Sequence, residues 1–127
     1  MRIAFDIDDT ITRCPEFFAV ISKALRAAGH KVYIISYRED RGFAEEDLAE
    51  CGVSYDELIL FADDERKAGG AKSWQDEAGR WKAEVCRQLE IDVLFDDMPE
   101  VVSALDEQTA AFMTVDPSLG SVAYERP

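Results

Sequence analysis

The chain has 127 residues, with 14 Lys and Arg against 27 Asp and Glu, so its formal net charge is −13. That length suits a single domain over residues 1–127, and 47% hydrophobic residues supply enough core to rule out global disorder. The negative excess argues against a nucleic-acid backbone or an anionic membrane surface as partner, and no run of about 18 apolar residues is present to span a bilayer.

Apolar and amphipathic stretches alternate along the chain. Residues 2–8 read as a buried strand that ends in carboxylates. Pro15 suits the first turn of a helix in which Phe17, Ile21, Ala24, Leu25 and Ala28 recur at helical spacing, with Gly29 as its C-terminal cap. Residues 31–36 are rich in β-branched and apolar types and predict a second strand. A helix over residues 41–51 follows, with Phe43, Leu48 and Cys51 expected to face inward and Gly52 to end it. Residues 58–61 form a short third strand. Residues 62–79 are polar and glycine-bearing and read as a long mobile loop. Trp81, Val85 and Leu89 then mark a helix, residues 92–95 a fourth strand, 99–105 a helix and 111–115 a fifth strand. The tail after Asp116 has no clear period and is expected to lie along the surface. Such alternation predicts a three-layer, Rossmann-like α/β fold, a five-stranded parallel sheet covered on both faces, with strands four, one and two adjacent.

Ligands of an open parallel sheet sit beyond the carboxyl ends of its strands. Strand one delivers Asp6, Asp8 and Asp9 there, strand two Ser36, and strand four Asp96 and Asp97. The period of two places Asp6 and Asp8 on one face. If strands one and four are neighbours, up to four carboxylates converge and repel one another unless a cation fills the site. Oxygen donors of this kind favour Mg²⁺.

The segment Phe5-Asp6-Ile7-Asp8-Asp9-Thr10 resembles the Asp-x-Asp-x-Thr opening of the haloacid dehalogenase-like (HAD) phosphohydrolases. Ser36 falls where that superfamily has a Ser or Thr ending its second strand. Lys82, 14 residues before Asp96 and expected at the head of a helix, falls at its third-motif lysine, with Lys67 and Lys72 as rivals. Asp96-Asp97 resembles its acidic fourth motif. The resemblance covers roughly residues 3–115 and implies a Mg²⁺-dependent phosphatase for a small phosphorylated substrate. In that scheme Asp6 attacks phosphorus to form an aspartyl-phosphate, and Asp8 protonates the leaving alcohol and then activates water. Ser36 binds the phosphoryl oxygens, and Lys82 and Mg²⁺ offset their charge. The implied metal set is Asp6, the Asp8 backbone carbonyl, and Asp96 and/or Asp97. An acid at Asp8 points to phosphoryl transfer, because halide leaves without a proton. Thr10 is expected to brace the turn.

The family often inserts a cap domain, but the segments between these motifs are too short for one, so the resemblance implies a capless, open site. Arg13 and Arg38 are the nearest positive groups for the remote part of a substrate. Cys14, Cys51 and Cys86 lack metal-site spacing and read as reduced thiols of a cytoplasmic protein, and the N-terminus lacks the apolar region of a signal peptide. Two rival classes remain: a catalytically silent HAD fold that serves as a binding module, and a receiver-like phospho-accepting domain. A receiver is disfavoured because its lysine ends the fifth strand, where this chain has Val115-Asp116.

Overall fold

Five strands, β1 (Arg2–Phe5), β2 (Lys31–Ser36), β3 (Glu57–Leu60), β4 (Val93–Asp96) and β5 (Ala110–Met113), form one sheet in the order β3-β2-β1-β4-β5. Every neighbouring pair is parallel. Among the described residues four α-helices connect them: α1 (Pro15–Ala27), α2 (Arg41–Cys51), α3 (Trp74–Gln88) and α4 (Pro99–Ala104). The structure, a computed structural model, describes residues 1–67 and 69–115. The expectation about the tail after Asp116 lies outside them. Among the described residues no helix is long and apolar enough to cross a membrane.

The central strands are apolar at consecutive positions because both of their faces are covered. Ile3, Phe5, Val32 and Ile34 pack on one side with Phe18 of α1 and with Ala44 and Leu48 of α2. Ala4, Tyr33, Ile35 and Leu94 pack on the other side with Trp81, Val85 and Cys86 of α3 and Val101 of α4. The strand period of two thus divides one run of sequence between two cores.

Local chemistry sets the helix ends. Pro15 occupies the first turn of α1. Asp40 and Ser73 cap α2 and α3 by accepting the amides of Phe43 (3.0 Å) and Asp76 (3.1 Å). Gly52 ends α2 at φ 71°, a conformation that costs glycine little.

Several expectations are corrected. Phe43 is 65% exposed, and the buried stripe of α2 is Ala44 and Leu48, flanked by half-buried Cys51. The step from Phe43 to Leu48 is five residues, well off a helical repeat, whereas 44, 48 and 51 follow it. In α1 the fully buried positions are Phe18 and Ser22, with Phe17 exposed. Ser22 is hidden from an apolar pattern because a hydroxyl fills the position, donating to the Ala19 carbonyl (3.1 Å) and accepting the Ser54 amide (3.0 Å). Residues 74–79 are not loop: Ser73 starts α3 there, so Lys82 stands in the third turn of the helix and not at its head. Phe61 leaves the third strand for a short helical turn, and β5 begins at Ala110 and ends at Met113.

Candidate active site

The central strand β1 delivers Asp6. Its amide still donates to the Phe95 carbonyl of β4 (2.9 Å), so the sheet itself holds the residue. The chain then turns sharply, with Asp8 extended and Asp9 in the left-handed region at φ 57°. This turn returns Thr10 towards Asp6, and its hydroxyl donates to Asp6 Oδ2 (3.3 Å).

Because β4 lies beside β1, Asp96 arrives next to Asp6. Both carboxylates are buried, and Lys82 of α3 lies between them, with Nζ 2.7 Å from Asp6 Oδ1 and 2.7 Å from Asp96 Oδ2. Lys82 is only 1% exposed. Asp96 Oδ1 also accepts the Met98 amide (3.0 Å). Asp97 is half-buried, and one oxygen from each of Asp6, Asp96 and Asp97 lies within 4.8 Å of the others.

Three carboxylates therefore gather where one ammonium bridges two of them. Burial pushes the Asp6 carboxyl up to about 8, with the Asp96 charge adding to the rise and Lys82 opposing it. Asp97 is raised as well, first by burial and also by the Asp96 charge. For Lys82, burial alone would favour the neutral amine, but Asp6 and Asp96 together outweigh it and hold the ammonium charged. The excess negative charge and the all-oxygen donor set fit a hard divalent cation such as Mg²⁺.

Asp8 stands apart from this cluster. Its side chain is 60% exposed and meets Arg38 through a forked pair, Nη2 to Oδ1 at 2.7 Å and Nε to Oδ2 at 3.0 Å. Arg38 is itself held by Asp47 (2.6 Å). Ser36, the last residue of β2, is buried, and its Oγ accepts the Arg38 amide (3.2 Å). Of the rival lysines, Lys67 donates to the Ala62 carbonyl (3.3 Å) and lies over the Phe61 ring, away from the acids. Lys72 presents its backbone amide to Asp76 (3.1 Å).

A cleft of about 270 Å³ opens over the cluster, lined by Asp6, Asp8, Asp9, Tyr37, Arg38, Trp74, Lys82, Asp97 and Met98. Sequence reasoning missed part of it. Thr10 touches Asp6 as well as shaping the turn. Thr114, just past β5, lies 3.3 Å from the Thr10 hydroxyl and donates to the Asp9 carbonyl (2.9 Å). The strand-end rule applied to the fifth strand would have found it. Trp74 falls in the polar, glycine-bearing segment that reads as a loop but opens α3.

Fold and site together define a parallel α/β protein with an acidic, cation-suited cleft at the carboxyl edge of its sheet. No family model matches the sequence, and no curated protein matches it. Solved structures do resemble it. A chain of the Pnkp1/Rnl/Hen1 RNA repair complex is 20% identical with a TM-score of 0.64, over 88% of this chain and 42% of that one. A second structure of the Pnkp1/Rnl/Hen1 complex gives 19% identity and a TM-score of 0.59, over 88% of this chain and 45% of that one. This chain thus spans less than half the length of those two. D,D-heptose 1.7-bisphosphate phosphatase from B. bronchiseptica, complexed with magnesium and phosphate, is 13% identical with a TM-score of 0.52, over 98% of this chain and 99% of that one. At such identities the likeness is one of fold.

Proposed function

We propose that this protein is a Mg²⁺-dependent phosphatase, a capless HAD-like domain over residues 1–127 that hydrolyses a small phosphate monoester. One observation carries the reading: Asp6, buried at the end of the central strand, shares the Lys82 ammonium with Asp96 and lies beside Asp97. A solved structure of similar fold holds magnesium and phosphate, which supports it.

In this reading an Asp6 oxygen attacks phosphorus as the bond to the leaving oxygen breaks, which forms an aspartyl-phosphate. The attacking form is the Asp6 anion, which Lys82 and a bound cation would favour against the burial that raises its carboxyl. Asp8, once released from the Arg38 fork and protonated from solvent, gives that proton to the departing alkoxide and later accepts one from the attacking water, so acid and base roles alternate on one group. Arg38 holds Asp8 at the cleft rim. Lys82 offsets charge on the phosphoryl oxygens, and Ser36 donates a hydrogen bond to them. Mg²⁺, held by Asp6, the Asp8 backbone carbonyl and Asp96 and/or Asp97, would supply the remaining positive charge that lets a dianion approach Asp6. With one connecting helix on each side of β2, the cleft stays open to a small substrate.

The test is phosphate release from a panel of phosphorylated metabolites with Mg²⁺, run beside Asp6→Asn. Turnover that disappears in the variant is expected. Turnover that survives it would overturn the mechanism, and a fold that never turns over would be the silent module.

A further inference from the structure

The cleft has an aromatic wall that the reaction at phosphorus does not use. Tyr37 directly follows β2 and Trp74 opens α3, with ring centroids 6.0 Å apart and planes inclined by 31°. Tyr37 is fixed from behind. Its ring lies 4.5 Å from Phe61, Phe61 meets the buried Trp81 edge-on at 5.2 Å, and the Tyr37 hydroxyl donates to Glu77 of α3. Trp74 is different: it lines the cleft yet remains 57% exposed. An indole left in water beside a phosphate-sized site is apolar area that a flat ligand would cover.

Charge defines the other requirement on that ligand. Among the described residues lining the cleft, the cations are Lys82 and Arg38. Lys82 is bonded to Asp6 and Asp96, and Arg38 to Asp8 and Asp47. Neither has charge to spare for a second phosphate, and Asp8, Asp9 and Asp97 would repel one. Charge at the cleft thus disfavours a second anionic group on the remote half of the ligand. A cleft of about 270 Å³ lies just under the roughly 300–1,000 Å³ of small-ligand pockets. It has room for one ring system beside a phosphate.

We propose that Trp74 and Tyr37 stack on the organic half of the substrate, which makes the preferred class phosphate monoesters that bear a planar heteroaromatic ring, as nucleoside monophosphates do. The inference rests on the phosphatase reading and sharpens it. Adenosine 5′-monophosphate and ribose 5-phosphate share sugar and phosphate and differ in the ring, so their kcat/KM ratio isolates the wall.

With Mg²⁺ the wild type is expected to favour the adenosine compound by about tenfold or more, the order that base–aromatic stacking provides. The preference should reside mainly in KM. Trp74→Ala should bring the ratio close to one, and Trp74→Phe should retain most of it, with circular dichroism checking that both variants fold. A wild-type ratio near one, or a ratio unmoved by Trp74→Ala, would overturn the stacking wall while leaving the phosphatase intact. Calorimetric titration of the same two compounds into Asp6→Asn separates the two ideas. Tighter binding of the adenosine compound, lost when Trp74→Ala is added, supports the wall even if the wild type turns over neither.

Discussion

Lys82 shows how a single side chain can hold a site together. Its ammonium is fully buried and bonded to two buried carboxylates, so its removal would leave both uncompensated. Lys82→Met is expected to cost about 3–5 kcal/mol in urea denaturation at pH 7, the range for breaking a buried ion pair from one side. A cost below about 1 kcal/mol would mean that the bridge does not form in solution. Asp56 offers a residue whose effect depends on pH. Its Oδ2 accepts the Val32 amide (2.8 Å) and its Oδ1 pairs with Arg26 (3.0 Å), which ties α1 to the start of β2. The Val32 amide, against the opposing effect of burial and with help from Arg26, lowers the Asp56 carboxyl below its ordinary 3.8. A lowered folded value means stability that is complete above the ordinary value and is lost as pH falls through the folded one. Asp56→Ala should therefore destabilise the protein at pH 7, by about 1 kcal/mol at most once solvent screening of so exposed a group is allowed for. Its difference from wild type should shrink in acid, and a difference that stays constant with pH would contradict this account.

At the scale of elements, the packing of α3 on α4 depends on the absence of a side chain. Gly79 lies within α3, and a Cβ built there would sit 2.6 Å from the Glu100 carbonyl oxygen at the first turn of α4. Helix propensity alone would favour alanine by about 1 kcal/mol. The close approach outweighs it, because the obstacle is backbone and cannot swing aside. Gly79→Ala is expected to lower the urea midpoint, with a net loss of about 1–3 kcal/mol. Since α3 carries both Lys82 and Trp74, the shifted helix should also weaken turnover. A variant as stable as wild type would show that the two helices can separate at little cost.

For the whole molecule, the decisive feature is that β1 lies between β2 and β4. This order places Asp6 against Asp96 and Asp97, although about 90 residues separate them in sequence. The site's surplus of negative charge then gives a divalent ion something to stabilise. Mg²⁺ should raise the thermal midpoint, by an amount that corresponds to about 2.7 kcal/mol when the ion is present at a hundred times its Kd. Asp96→Asn and Asp97→Asn, scanned separately, should each reduce that rise, more so for the carboxylate that holds the ion directly. A midpoint indifferent to Mg²⁺ in the wild type would show that Lys82 alone satisfies the cluster.

The alternation of strands and helices, the parallel sheet and the acids at strand ends are all legible in the amino-acid order. The reason is that strands buried on both faces leave continuous apolar runs, and helix ends have local signatures such as Pro15 and Gly52. Pattern fails where burial does not follow apolarity: Phe43 points outward, Ser22 points inward, and α3 begins on polar residues that read as a loop. Long-range packing is what sets Lys82 between Asp6 and Asp96, turns the Asp8 carboxylate to Arg38 and stands Trp74 beside Tyr37. Those contacts join residues 30 or more positions apart, or depend on the pitch of one helix over the sheet, and no local spacing encodes either.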